Sequence, residues 1–444
     1  MDGFKMMVIN QLFLFKNSFS KFFLSLFLAA SLGAFAKPYL PQVETVFSKK
    51  QGPKFILQNL KKSGVFNAPS FEWTFSYDGL KSSRHIRGLF FEGLPYKGKK
   101  TKVFCWYGVP ENLKEGEKAP AIVLVHGGGG TAFEKWVKKW NDQGYIAISI
   151  ALEGQIPGEK IDDNSGNKVY QRQSNSGPSR VGFFNDITNS NLKDQWFYHA
   201  VSDVILAHSL LRTFPEVDTE NIGITGISWG GIITNVVTGL DKRFKFSIPV
   251  YGCGFLYETP LYKKLLNKLT QEGRYFYLKN WEPSLYISLQ NLPTLFVNGT
   301  NDKHFSMNSF TKSFNTSNSE KYLRVEHNMR HGHAPGWDPK EIYAFANYVV
   351  ANGKSPILVK LEKTGNNSVL YSVNNTIIKA KLYYTSQVND WGDKNYEWKE
   401  SLLPITISGK EISAQIPSDA RYIFLNVFDE SENMYSSSMS KIYL

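Results

Sequence analysis

Between residues 119 and 351 short apolar runs alternate with segments of helical spacing. "APAIVLVHGGGG", "YIAISIAL", "NIGITGIS", "FKFSIPVYG" and "LPTLFVNGT" are apolar almost throughout. Runs of this kind predict strands buried on both faces of a parallel sheet. "FEKWVKKWNDQG" has helical spacing and ends at Gly144. "DQWFYHAVSDVILAHSLLR" reads as an amphipathic helix and "WGGIITNVVTGL" as a further helix. A helical insertion is expected at 259–290. "KYLRVEHN" reads as the last strand of the series. The closing helix is "DPKEIYAFANYVVANG", with Asp338 as N-cap and Glu341 completing a capping box. Strands alternating with helices predict a mostly parallel sheet with helices on both faces.

Two regions depart from this rhythm. Residues 37 to about 100 have β character, with alternating, aromatic-rich runs such as "FEWTFSY" and "RHIRGLFFEGL". After "NGKSP" only short alternating runs remain, which predicts a small all-β sandwich over 355–444. Residues 153–192 are polar and rich in Gly, Asn and Ser, and read as a long loop. Loops of that length are usually functional or disordered.

The first residues read as an export signal. Lys16 and Lys21 precede the apolar run "FFLSLFLAASLGAFA", and Ala34-Phe35-Ala36 forms a small-x-small cleavage site before Lys37. The run is short for a bilayer span of about 20 residues. The expected organisation is therefore a signal peptide at 1–36, a main domain at 37–354 and a sandwich at 355–444. The expected location is exported, periplasmic or secreted, with no stable membrane insertion after cleavage.

The chain of 444 residues carries a net charge of +12, of which Lys5, Lys16, Lys21 and Asp2 contribute little, so the mature part stays basic. That is compatible with acidic partners but reads first as a solvated Lys-rich surface. No block of Lys and Arg interleaved with aromatics points to nucleic acid. Cys105 and Cys253 form either a disulfide, which export permits, or two buried thiols.

The chemistry concentrates at strand ends. Gly226-Ile227-Ser228-Trp229-Gly230 fits G-x-S-x-G between a strand and a helix, the context of a nucleophile elbow. The helix behind Ser228 turns its positive end toward a developing oxyanion. His126-Gly127-Gly128-Gly129-Gly130 ends an earlier strand. Its glycines let backbone amides approach a ligand, so Gly128 and Gly129, with the Trp229 amide, are the candidate oxyanion donors. The run has neither the spacing of a dinucleotide loop nor a Lys-Ser/Thr phosphate loop. His126 reads as a packing residue.

A serine nucleophile needs a base and an orienting carboxylate, in the order Ser, Asp/Glu, His. Asp302 follows the strand "PTLFVNGT", where such a carboxylate belongs; Glu153 and Glu258 are poorer candidates. Among later histidines, His304 is too close to Asp302 in the chain and His327 reads as strand. His331 is the preferred base and His333 the alternative. The pair also has the i, i+2 spacing of two metal ligands, but no third ligand cluster accompanies it. The reading calls for no cofactor and no metal.

The stretches "VPENLKEGEKAPAIVLVHGGGGTAFEKWVKKWNDQGY", "DQWFYHAVSDVILAHSLLRTFPEVDTENIGITGISWGG", "RFKFSIPVYGCGF", "NGTNDKHF" and "RHGHAPGWDPKEIYAFA" resemble exported α/β-hydrolases of the acetyl xylan esterase and cephalosporin-C deacetylase-like group. They also resemble the dienelactone-hydrolase and prolyl-oligopeptidase-like branches. The likeness covers about residues 85–350. The strands around "KLYYT" and "YIFLNVFDESENMYSSS" resemble the sandwich found behind some such hydrolases. The resemblance implies an α/β-hydrolase fold and serine esterase chemistry, with deacetylation of a saccharide as the expected reaction and a small-molecule or polysaccharide ester as the expected partner. Dienelactone hydrolases use a cysteine where this chain has Ser228, which argues against lactone opening. A prolyl-oligopeptidase-type peptidase is a second expectation, although the lead-in is too short for the propeller such enzymes carry. A carbohydrate-binding protein using Trp196, Trp391 and Trp398 is a third.

Overall fold

A computed structural model describes residues 51–443, except 75, 78–79, 82–84, 164–165, 181–183, 185, 188–190 and 388–396. The expected signal segment, its cleavage site and Trp391 lie outside the described residues.

The lead-in opens with a helix that the β-like texture had not suggested, α1 (Pro53–Lys62), with Pro53 in its first turn and Ile56 and Leu60 buried. It is followed by β1 (Phe71–Thr74), β2 (Ile86–Tyr96) and β3 (Lys99–Gly108). The alternating sheet then runs through β4 (Ala119–Val125), α2 (Glu134–Asn141) and β5 (Ile146–Ile150). Residues 153–192, expected as a loop, contain a two-stranded hairpin, β6 (Gln155–Asp162) and β7 (Lys168–Arg172). Its strand residues are mostly exposed, so no apolar alternation announced it. Next come α3 (Trp196–Leu211), β8 (Val217–Ile227), α4 (Trp229–Leu240) and β9 (Phe246–Val250). The insertion holds α5 (Pro260–Leu266), α6 (Gln271–Asn280) and α7 (Ser284–Ile287). The main sheet closes with β10 (Thr294–Gly299), α8 (Met307–Thr316), β11 (Lys321–Glu326), a short α9 (His333–Trp337) and α10 (Lys340–Ala351).

The nine strands lie in the order β1-β2-β3-β5-β4-β8-β9-β10-β11. Pairs from β5 to β11 are parallel, and the N-terminal strands pair antiparallel. β4 sits between β5 and β8, so the chain leaves it toward one side of the sheet and returns on the other. Such a reversal opens a crevice at the carboxyl ends of the strands.

Two helices differ from their sequence readings. All of α3 is buried, where an exposed polar face was expected. The segment after α1 covers its outer side: Ser209 Oγ donates to the Val65 carbonyl at 3.1 Å, and the Tyr198 and Ser63 hydroxyls pair at 2.9 Å. Asp338 does not cap α10; Pro339 stands at the cap position, and Asp338 Oδ1 accepts from Lys139 Nζ at 3.1 Å. Glu341 turns inward, where its Oε2 accepts from Arg324 Nε at 2.7 Å.

The C-terminal strands are β12 (Val359–Thr364), β13 (Ser368–Val373), β14 (Lys379–Thr385), β15 (Lys399–Glu400), β16 (Ile405–Ser408), β17 (Glu411–Gln415), β18 (Tyr422–Phe428), β19 (Met434–Ser436) and β20 (Ser440–Lys441). They form two antiparallel sheets, β12-β13-β17-β16 and β15-β14-β18-β19, with β20 paired to β18. Tyr371, Leu382, Ile412 and Leu425 fill the space between them. Tyr383, Trp398 and Phe424 instead join the core of the large sheet. Trp196 and Trp398 are buried, so neither presents the open ring face that carbohydrate stacking needs. Cys105 and Cys253 are both buried free thiols. Among the described residues no helix is long and apolar enough to cross a membrane.

Candidate active site

Ser228 stands between β8 and α4 with φ 59° and ψ −113°, a backbone conformation that L residues rarely adopt. Its amide donates to the Val250 carbonyl at 2.9 Å, which pins the turn to the neighbouring strand. Tight packing of α4 on the sheet explains the glycines. A Cβ on Gly226 would collide with the Gly230 carbonyl, and one on Gly230 with the Val125 carbonyl. Strand, turn and helix therefore hold the hydroxyl over the carboxyl ends of the strands, at the positive end of α4.

His331 Nε2 lies 3.0 Å from Ser228 Oγ, and its Nδ1 lies 2.7 Å from Asp302 Oδ2. The ionised carboxylate only accepts, so Nδ1 carries the proton and Nε2 accepts from the serine. Asp302 is buried, and its Oδ1 accepts the His304 and Phe305 amides at 2.8 and 3.0 Å. The His331 ring packs against Tyr251, with centroids 4.5 Å apart, and against His304 at 4.8 Å. The Tyr251 hydroxyl donates to the Arg330 carbonyl at 2.7 Å, which ties the base's loop to the end of β9. Nothing in the sequence pattern singled out Tyr251.

The structure thus brings Ser228, His331 and Asp302 into one hydrogen-bonded chain. His333 goes elsewhere: its Nε2 accepts from the Gly127 amide at 3.0 Å, and its ring packs on Phe133 at 4.8 Å. Burial pushes its pKa down to about 4, which keeps it a neutral acceptor. His331 and His333 therefore do not converge on a shared ligand. Glu153 and Glu258 do not reach His331; they pair with Arg180 and Lys312. His327 Nε2 bonds the Trp398 carbonyl.

The glycine run is braced from both sides. His126 Nδ1 donates to the Gly127 carbonyl at 2.7 Å, and its Nε2 accepts from the Leu152 amide at 3.0 Å. Burial lowers the His126 pKa to about 3, so this tautomer is fixed and neutral. The Gly127 amide is taken by His333 and the Gly130 amide by the Gly127 carbonyl. Gly128 and Gly129 between them are exposed, and Gly129 has φ 70°. A Cβ on Gly127 would lie 3.1 Å from Ser228 Cβ, so the run borders the serine directly.

Two family models match the chain. Residues 82–281 match acetyl xylan esterase, and residues 232–393 match PhoPQ-activated pathogenicity-related protein. Among solved structures, an acetyl xylan esterase from a Paenibacillus species superposes with a TM-score of 0.54 at 18% identity, covering 66% of this chain and 93% of its own. Acetyl xylan esterase 1 from a Thermoanaerobacterium species gives 0.53 at 15%, covering 68% and 96%. The chain has the α/β-hydrolase fold and is similar to the acetyl xylan esterases. Its site has the make-up of a serine hydrolase. A curated relative, a probable dipeptidyl-peptidase 5 from Aspergillus terreus, is 27% identical over 158 residues. Those residues are 34% of this chain and 18% of that protein, so the chain spans less than a fifth of the relative.

Proposed function

We propose that this protein is a serine carboxylic-ester hydrolase that removes short acyl groups, acetyl above all, from saccharides. The observation that carries the proposal is the Ser228–His331–Asp302 chain beside the exposed Gly128 and Gly129 amides. His331 takes the Ser228 proton as Oγ attacks the ester carbonyl. The Gly128, Gly129 and Trp229 amides hold the oxyanion, and the imidazolium protonates the leaving alcohol. Water then repeats the sequence on the acyl-enzyme, while Asp302 keeps the tautomer and supports the imidazolium. No cofactor or metal enters the scheme.

The saccharide preference rests on the likeness to acetyl xylan esterases. A short acyl group is supported by ring packing beside Ser228, where Trp229, Tyr262 and Phe305 follow one another at centroid spacings of 6.0 and 5.5 Å, all buried. The charged, apolar and small-x-small order of residues 16–36 supports export, with the ester met outside the cytoplasm.

The test is a panel of 4-nitrophenyl esters of increasing chain length, acetylated xylo-oligosaccharides and a dipeptide 4-nitroanilide, run with the wild type and Ser228→Ala. Acetate esters should be cleaved fastest, and the alanine variant should lose activity by roughly 10⁴-fold or more. Cleavage of the anilide alone would favour a peptidase. Equal activity in the alanine variant would end the serine-hydrolase reading.

A further inference from the structure

Tyr251 follows β9 directly and has φ 64°, in the left-handed region that a bulky side chain rarely enters. The Gly252 amide donates to the Val250 carbonyl at 2.8 Å, which makes Tyr251 the central residue of a γ-turn. A γ-turn with positive φ is the rare, strained form. The same Val250 carbonyl accepts the Ser228 amide at 2.9 Å. One carbonyl therefore fixes both the turn of the nucleophile and the turn that carries Tyr251. The Tyr251 amide donates to the Val297 carbonyl on β10 at 2.7 Å, which ties the strained residue to the sheet. Strain of this kind costs about 1–3 kcal/mol and persists where the surroundings over-determine it, as active sites do.

The side chain is fully buried, and each part of it meets the loop of the base. Its ring packs on His331, with the two planes 32° apart. Its hydroxyl reaches the peptide groups on both sides of His331. It donates to the Arg330 carbonyl at 2.7 Å, and the Gly332 amide interacts with the same oxygen. Burial, together with the Asp302 charge, raises the phenol pKa, so the hydroxyl keeps the proton it gives to Arg330. The short helix α9 closes on the same ring: a Cβ on Gly336 would lie 3.1 Å from Tyr251 Cε2 and 3.2 Å from Cδ1 of Ile227, the residue before Ser228.

We infer that Tyr251 is a positioning residue of the reaction: by gripping the peptide groups on both sides of His331 and packing on its ring, it holds Nε2 in place for Ser228 Oγ. It acts through His331 and takes no part in the bond changes. This rests on the ester-hydrolase reading of Ser228, His331 and Asp302. Because the Val250 carbonyl also pins Ser228, the base and the nucleophile are placed from one point of the sheet. A reacting group displaced by about 1 Å loses about 10²-fold in rate, so a grip on the loop of the base acts on turnover and not on ester binding.

The experiment uses Tyr251→Phe, which keeps the ring and removes only the hydroxyl. With 4-nitrophenyl acetate kcat should fall by about ten- to a hundredfold while KM changes by less than about threefold, because the lost interaction serves the transition state. Gly336→Ala, whose methyl group presses on Tyr251 from α9, should lower kcat in the same way. A second readout does not depend on turnover. The proton on His331 Nδ1, shared with Asp302, should give a far-downfield proton resonance in the wild type, and in Tyr251→Phe that resonance should broaden or vanish as the imidazole loosens. Melting temperatures are measured alongside. A Tyr251→Phe variant with a lower melting temperature but unchanged kcat and resonance shows that Tyr251 only fills the core, and overturns the inference. A loss confined to KM overturns it as well. A wild type that cleaves no ester overturns the underlying ester-hydrolase reading instead, and the resonance in wild type and Tyr251→Phe then still decides whether Tyr251 positions His331.

Discussion

His333 accepts a hydrogen bond from the amide of Gly127 at 3.0 Å, two residues beyond the histidine that meets Ser228. The two imidazoles of "RHGH" therefore have separate tasks. One faces the hydroxyl, and the other supports the loop that would hold the oxyanion. His331→Ala should lower kcat for 4-nitrophenyl acetate by roughly 10²–10⁴-fold, the usual range for a general base. His333→Ala should cost less, because the amides of Gly128 and Gly129 survive with looser placement. Equal losses in the two variants would contradict this division.

The glycines of the site separate in the same way. Gly230 has ordinary backbone angles but no room for a methyl group against the Val125 carbonyl. Gly129 has free space around its Cα but φ 70°. Gly230→Ala should misfold or destabilise by more than about 3 kcal/mol, as overpacking against backbone cannot relax. Gly129→Ala should cost about 1 kcal/mol through backbone strain alone. Thermal unfolding of the two variants checks the contrast; similar melting temperatures would refute it.

What the chain disclosed in advance follows from how each feature is encoded. Buried parallel strands need unbroken apolar runs, so β4, β5, β8, β9 and β10 stood out. The elbow needs glycines at fixed offsets from Ser228, so it was readable too. Asp302 and the pair His331 and His333 were reachable because chain order and strand ends restrict the choice. The choice between His331 and His333 was not, since it depends on where Gly127 lies in space. The β6–β7 hairpin, the covering of α3 and the packing of Tyr251 on His331 arise from contacts between distant segments. Local periodicity carries no trace of them. Asp338 showed the reverse error: a good capping pattern was overridden because Glu341 is used by Arg324.

Glu282 gives a pH-dependent stability. It is buried, with Oε1 accepting the Phe255 and Ser284 amides at 2.5 and 3.3 Å, while Oε2 has no hydrogen-bond partner among the described residues. Burial raises its pKa from 4.5 to about 7. Below pH 4.5 the folded and unfolded chains both hold the proton. Between 4.5 and 7 the unfolded chain ionises while the fold keeps Glu282 neutral, so this contribution is lost as pH rises. Glu282→Gln removes the titration. In urea unfolding the variant should gain on the wild type by about 3 kcal/mol between pH 4.5 and 7.5. A constant difference across that range would show that Glu282 does not titrate differently on folding.

The edge of the large sheet yields the last prediction. β11 is an outermost strand, and an exposed edge invites pairing with other chains. Here the C-terminal strands occupy it with side chains. The Val325 amide donates to Ser436 Oγ at 2.8 Å, and its carbonyl accepts from Asn426 Nδ2 at 3.0 Å. Ser436 Oγ in turn donates to Asn426 Oδ1 at 2.6 Å, and all of these groups are buried. Glu341 adds a further tie by accepting the Met434 amide at 2.7 Å. Removing Asn426 takes the donor from the buried Val325 carbonyl and the acceptor from the buried Ser436 hydroxyl. Asn426→Ala should therefore lose about 1–3 kcal/mol. Asn426→Ala/Ser436→Ala should lose less than the sum of the single losses, because the partners form one network. Both variants should scatter more light on heating, while kcat/KM for a small ester at low temperature stays near wild type, since neither residue touches the site. A fall in ester turnover with unchanged melting temperature would instead assign these strands a part in substrate handling.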